Sequence, residues 1–412
     1  MFSVVSIVNS KSSGPNYKWY VLSLAALTFT FTFAMQQICM TVLFKEISDD
    51  LGLSLVEVGV VWGIPPLAAL FIVFIGGLLA DRYGAKRIMS IACLLAGLAG
   101  AMRGVSGDFA SLTLTTFLFG LSAWIIPSSV FKTTATWFSG RQLMIANGIV
   151  SAGVGFGFTV GAMISATILS PLLGGWRNVL FLYGAISIVV GLLCLLTMRE
   201  PERLGSAGSE GSVPLRQAIA RVFPIKGVWL LGLTLLGYIG CTQGVVGYLP
   251  LYLRDNGWTV ASADGTLAAF NGVSTLGAIP LALLANRLGL RKAILFPVLL
   301  ITIVGVALLP VVDNAMVWVL MIMVGIARDG FMAICLTMST ETEGVGVVYA
   351  GTAIGLVQTI LNVGSFISPP LGNSLADTNP GLPFFLWAAF GLLALLAFCF
   401  VRETEWKQHP QL

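Results

Sequence analysis

The feature that most restricts this chain is its succession of long apolar segments. About 20 apolar residues suffice for a helix to cross hydrocarbon, and segments of that order recur twelve times between Trp19 and Val401. Within lipid every backbone N–H and C=O must find a partner inside the protein, which leaves helices and closed barrels. The segments are apolar throughout and do not alternate, so the expected fold is all-α. Composition agrees: 57% of residues are hydrophobic and 10% charged, far from the balance of a water-soluble domain. A multi-pass protein embedded in the lipid bilayer is expected, with its first span near Trp19–Leu43 and its last near Leu382–Val401.

A second constraint is an internal repeat. A polar interruption reads Gly77-Leu-Leu-Ala-Asp81-Arg82-Tyr83-Gly84-Ala85-Lys86-Arg87, and 205 positions later stands Ala282-Leu-Leu-Ala-Asn286-Arg287-Leu288-Gly289-Leu290-Arg291-Lys292. Leu, Leu, Ala, Arg, Gly and the closing basic pair recur in register. The twelve transmembrane helices are therefore expected as two pseudo-symmetric six-helix bundles. Their expected bounds are 1–198 and 227–412, joined by a polar connector, 199–226, with a short surface helix at Val213–Arg221. Gly84 and Gly289 permit a tight turn. Asp81 can pair with a basic neighbour or a helix N-terminus.

Charge sets the expected orientation, because Lys and Arg gather on the cytoplasmic side. The N-terminus, alternate loops and tail hold Lys18, Arg82, Lys86, Arg87, Arg141, Arg287, Arg291 and Lys292 among others, against clearly only Lys45, Arg177 and Arg254 on the other side. Both termini are expected in the cytoplasm, in a cell membrane such as the bacterial inner membrane. The net charge of +4 follows from that bias and carries no nucleic-acid footprint. Enzymatic chemistry is not expected. The one histidine, His409, lies in the tail, and the six cysteines are scattered through apolar segments without metal-type spacing. The expectation is a monomer with no metal and no cofactor.

The stretch Gly77–Arg87 resembles the loop between helices 2 and 3 of the major facilitator superfamily, Gly-x-Leu-Ala-Asp-Arg-x-Gly-Arg-Lys/Arg. Ala85 stands at the usual Arg, and Asn286 replaces the acid in the second copy. The resemblance implies an alternating-access carrier in which helices 1, 4, 7 and 10 line a central cavity. It also implies a seam between the halves formed by helices 5 and 8 and by helices 2 and 11. It gives Gly77, Asp81, Arg82, Gly84, Arg87, Asn286, Arg287 and Gly289 a gating role. A second passage, Trp137-Phe138-x-x-Arg141 followed by Ala146-x-Gly148 and Ala152-Gly153, is similar to the helix 4–5 region of monocarboxylate and oxalate/formate transporters. That likeness implies a small organic anion as substrate.

The sharpest pointer is Arg328, near the middle of the span expected at Ala315–Thr340. A charge there costs at least about 2.5–3.5 kcal/mol, so it must face protein or water. It can bind an anion, most naturally a carboxylate held bidentately, or form a structural ion pair. Asp329 is read as the one carboxylate deep in a span, hence as the proton-coupling candidate; the alternative is a helix-to-helix hydrogen bond. The repeat puts Gln36, Gln37, Thr242 and Gln243 at comparable depth; the three glutamines, with Tyr248 further along the same helix, are read as substrate contacts, with packing between helices as the alternative. Lys132 lies about 20 residues into helix 4, roughly 30 Å, so it should extend to the cytoplasmic surface, with a gate as the other possibility. Arg103 is expected as an interfacial anchor. Gly153, Gly157 and Gly161 form a packing face on helix 5, echoed by Gly351 and Gly355. The function expected is transport of a small organic anion, coupled to protons or to a counter-anion. The rivals are export of an amphipathic or cationic compound against Asp329, and a non-transporting membrane sensor or scaffold.

Overall fold

The computed structural model is described over residues 16–199, 215–288 and 291–402. Among these, twelve helices are long and apolar enough to cross a membrane. They are α1 (Tyr17–Leu51), α2 (Leu55–Tyr83), α3 (Ala85–Val105), α4 (Phe109–Trp137), α5 (Gly140–Leu173), α6 (Trp176–Thr197), α7 (Lys226–Asp255), α8 (Val260–Leu288), α9 (Arg291–Leu308), α10 (Asn314–Glu341), α11 (Gly346–Asn373) and α12 (Leu382–Phe400). Several exceed the expected spans by a turn or more because polar caps, such as the Ser54–Glu57 capping box of α2, extend them beyond the apolar run. In the connector a short helix, Leu215–Val222, stands where one was expected; residues 213 and 214 lie outside the described ones.

Helix packing sorts the spans into two groups of six. α3 lies on α6 and α4, and α5 on α1; in the second group α12 lies on α7 and α9, and α10 on α8 and α11. The repeat is visible in individual contacts. Gly120 of α4 admits the backbone of Pro65 on α2, and 205 positions later Gly325 of α10 admits the backbone of Phe270 on α8. In both bundles the absence of a Cβ sets how closely the central helix approaches its neighbour. Gly153, Gly157 and Gly161 do the same for α5 against α1, and Thr30 Oγ1 donates to the Gly153 carbonyl at 2.9 Å.

The groups meet along α2–α11 and α5–α8, with α1 against α7 between them. All hydrogen bonds and ion pairs joining them among the described residues lie away from the end that carries the termini. Lys45 Nζ pairs with Asp255 at 3.2 Å, and Trp62 Nε1 donates to the Gln243 carbonyl at 2.9 Å. Thr167 donates to Asp264 at 3.3 Å and Asn373 to the Leu55 carbonyl at 2.8 Å. Toward the terminal end the same seam helices part, and Gly77, Gly148, Gly351 and Gly355 look onto open space. Gly351 and Gly355 therefore do not repeat the packing role of the α5 glycines. Among the described residues the two groups thus form a V, joined at the far end and parted toward the end where α1 begins and α12 finishes.

Candidate functional site

Both central helices are broken near mid-span. α4 is interrupted between Ala123 and Ile126, and Pro127 at the start of its second segment cannot donate the next helical bond. α10 is interrupted at Ala327 (φ −106°, ψ −4°), with Gly325 and Gly330 pressed against α8 on either side. The two breaks share a register: subtracting 205 from Arg328 gives Ala123. The guanidinium thus has no counterpart in the first bundle. It stands on the first residue of a new helical segment, where unpaired N–H groups also favour negative charge.

Arg328 is weakly held. Nη1 donates to Asn271 Oδ1 at 3.4 Å, the charge lies 5.2 Å from the centre of the Phe270 ring, and Nε has no partner. Asp329 Oδ1 is 3.9 Å from Nη1, and the two side chains are 19% and 45% exposed. A guanidinium carries five N–H donors in a rigid fork, so most of its bonding capacity stays open. The backbone N–H of Asp329 donates to Ser274 Oγ at 3.3 Å; its carboxylate is left half-exposed beside Arg328.

The expected companions separate into two sets. Gln37 and Gln243 make no side-chain hydrogen bond among the described residues, and Gln37 Oε1 is buried without a donor. Gln36 and Tyr248, by contrast, are structural. Gln36 Nε2 donates to the Tyr183 carbonyl at 3.2 Å and to Ser187 Oγ on α6, so it faces the back of its bundle. Neighbouring helix positions point about 100° apart, which is why adjacent glutamines differ. Tyr248 is buried among Tyr252, Phe384 and Trp387, its hydroxyl donating to the Pro380 carbonyl at 3.3 Å. Thr242 bonds back to carbonyls of its own helix.

Arg103 is not the interfacial anchor expected. It is 1% exposed, and its nitrogens donate to the Gln36 carbonyl and Oε1 at 3.2 Å and to the Gly100 carbonyl at 3.4 Å. Phe119 covers its guanidinium at 4.1 Å. Nor is Asp329 the only carboxylate inside a span, and it is not the buried one. Asp264, near the far end of α8, is fully buried and takes both its oxygens to Arg254 Nη2 at 2.6 and 2.7 Å.

The repeated loops lie at the terminal end. Gly84 turns at φ 94°, and Arg82 and Arg87 are exposed, with Arg82 over the Tyr83 ring. Lys132 is half-buried near this end, and its Nζ donates to the Ala80 carbonyl at 2.7 Å, tying α4 to the end of α2. In the second bundle Arg291 pairs with Glu341, tying α9 to the end of α10. Arg287 is exposed. Gly289 and the side chains of Asp81 and Asn286 lie outside the described residues.

The family model described as Major Facilitator Superfamily matches residues 23–360 and 254–411. The chain is 24% identical over 325 residues to the 4-hydroxybenzoate transporter PcaK of Pseudomonas aeruginosa, covering 71% of each. It is 25% identical to the probable nitrate/nitrite antiporter NarK1 of Thermus thermophilus, covering 94% of this chain and 91% of that one. Among solved structures, a bacterial homologue of the human lysosomal transporter Spinster, inward-facing and occupied, superposes with a TM-score of 0.81 at 19% identity, covering 94% of this chain and 97% of that one. With the doubled bundle, the broken central helices and the family match in agreement, the chain belongs to the Major Facilitator Superfamily and is a multi-pass membrane transport protein.

Proposed function

We propose that the protein is a secondary carrier for a small organic anion, which Arg328 binds through its carboxylate. The observation that carries this reading is the under-coordinated guanidinium at the break of α10: one long hydrogen bond, one carboxylate at 3.9 Å and an unpaired Nε. The acceptors this mid-span charge lacks are the ones a bound carboxylate would bring. Gln37 and Gln243 supply uncharged hydrogen-bonding groups on the two halves. The basic loops support cytoplasmic termini, and in that orientation the V is the cytoplasm-open state. Asp329, the carboxylate beside Arg328, is the proton-coupling group.

The test is uptake by reconstituted vesicles. Arg328→Gln should lower carboxylate uptake about 100-fold, on the order of 3 kcal/mol; undiminished uptake would remove the anion assignment. Asp329→Asn should abolish accumulation driven by a proton gradient while exchange of internal for external anion continues. Proton-driven accumulation that survives this change would remove Asp329 from the coupling, and its absence from the parent as well would point to counter-anion exchange.

A further inference from the structure

The joined end of the seam encloses a buried charge cluster that the anion site does not use. Asp264 of α8 is 0% exposed and takes its carboxylate to Arg254 Nη2 of α7, whose side chain is 6% exposed. Both belong to the second bundle. The first bundle reaches the same carboxylate through α5, where Thr167 Oγ1 donates to Asp264 Oδ2 at 3.3 Å. One turn further along α5, Ser170 donates to Glu46 of α1. Arg254 and Glu46 are the charged groups that act on Asp264; Lys45, Asp49 and Asp255 pair among themselves in an exposed set. Two carboxylates thus share the neighbourhood of one guanidinium, and Arg254 Nε has no acceptor even with this end shut.

An ionised carboxylate only accepts hydrogen bonds. A proton on Asp264 turns one oxygen into a donor and removes the charge that strengthens the bonds to it. With the end shut, that proton strands Arg254 as a buried charge without a counter-ion, which is costly. With the end open, water reaches the guanidinium and the cost falls away. Protonation of Asp264 and opening of this end therefore favour one another, and the linkage is reciprocal. We propose that Asp264 is a second proton-binding site, loaded from the side this end faces, whose ionised form holds the end shut through Arg254 and through Thr167 of the other bundle. The open form binds the proton more tightly than the shut form, so acid favours opening and alkali favours closure. The assignment rests on the carrier reading but not on what Arg328 binds, because Asp264 lies near the end of α8 and Asp329 at the break in α10.

Distances between spin labels at Leu172 of α5 and Val260 of α8, both exposed near this end, read the opening in the full chain in lipid nanodiscs. Cys399, the exposed cysteine, is replaced by Ser so that the labels go where intended. From about pH 8 to about pH 5 the ratio of open to shut molecules should rise about tenfold, an ordinary size for coupling between two events. Asp264→Asn should show the acid ratio at every pH. Arg254→Met combined with Asp264→Leu removes both charges while keeping the space filled, and should likewise ignore pH. Thr167→Val should raise the ratio about threefold in alkali, where Asp264 is ionised, and less in acid. Glu46→Gln and Asp329→Asn should respond to acid as the parent does. A parent whose ratio ignores pH, or an acid response that survives in both Asp264 variants, overturns the proposal. Loss of the response in Glu46→Gln gives the proton to Glu46 and overturns it as well. An unchanged ratio in Thr167→Val removes the tie across the seam. Labels that never separate at any pH, in protein that moves no solute in vesicles, sink the carrier reading itself.

Discussion

Arg103 and Arg328 are both arginines inside spans, one in each bundle, and they are treated in opposite ways. Arg103 is enclosed: carbonyls of Gln36 and Gly100, the Gln36 amide oxygen and the Phe119 face take up its fork. Arg328 has one hydrogen bond of 3.4 Å and an unpaired Nε. A third, Arg254, has its charge met by Asp264 at 2.6 Å in a site closed to solvent, although its Nε too has no partner, so the unpaired Nε alone does not set Arg328 apart. Burial of a charge therefore does not by itself indicate function. What distinguishes Arg328 is the bonding it lacks, because a guanidinium left short of acceptors inside a membrane protein stands ready for a ligand that brings them.

That contrast can be broken in four ways, the largest effect first. Arg254→Ala leaves the buried Asp264 carboxylate without its cation, a change of about 3–5 kcal/mol. It should show as a large drop in melting temperature, recovered in good part by Arg254→Met combined with Asp264→Leu. Arg103→Met strips three acceptors of their donor and should destabilise by about 2 kcal/mol, with cargo affinity unchanged in the folded fraction. A fall in affinity with no change in melting would reverse the roles given to the two arginines. Arg328→Lys keeps the charge and loses the fork; cargo affinity should fall about tenfold, or 1.4 kcal/mol, with little change in melting. Lys45→Gln removes a half-exposed ion pair to Asp255 at the shut end. Its effect on the population of that closed state should stay under about 1 kcal/mol and shrink further in salt. Spin-label distances between α1 and α7 would measure it.

Helix number, the doubled bundle and the depth of Arg328 were legible in the chain, because hydropathy and a fixed offset are properties of the linear order. The seam of α2 with α11 and of α5 with α8 followed from the family resemblance and is found. The break in α4 had a visible cause in Pro127. The one in α10 had none, since no proline lies between Asn314 and Glu341. Misplaced residues share one reason: sequence gives depth but not azimuth. Gln36 and Gln37 occupy the same depth, yet the first turns to Ser187 on α6 and the second meets no partner. Arg103 lies near the end of α3, where a long side chain could reach an interface, but its neighbours draw it inward.

From the residues alone one could know that this chain spans a bilayer twelve times as a duplicated unit, because the cost of lipid exposure acts on every segment locally. Which polar groups are satisfied and which remain open was settled only when the helices came together. Hydrogen bonds of 3 Å depend on helix rotation and on glycine-permitted approach, and neither is written in any one segment. That is why Arg328 could be located beforehand, while the unpaired Gln37 and Trp124, and the closure of Asp264 on Arg254, could not.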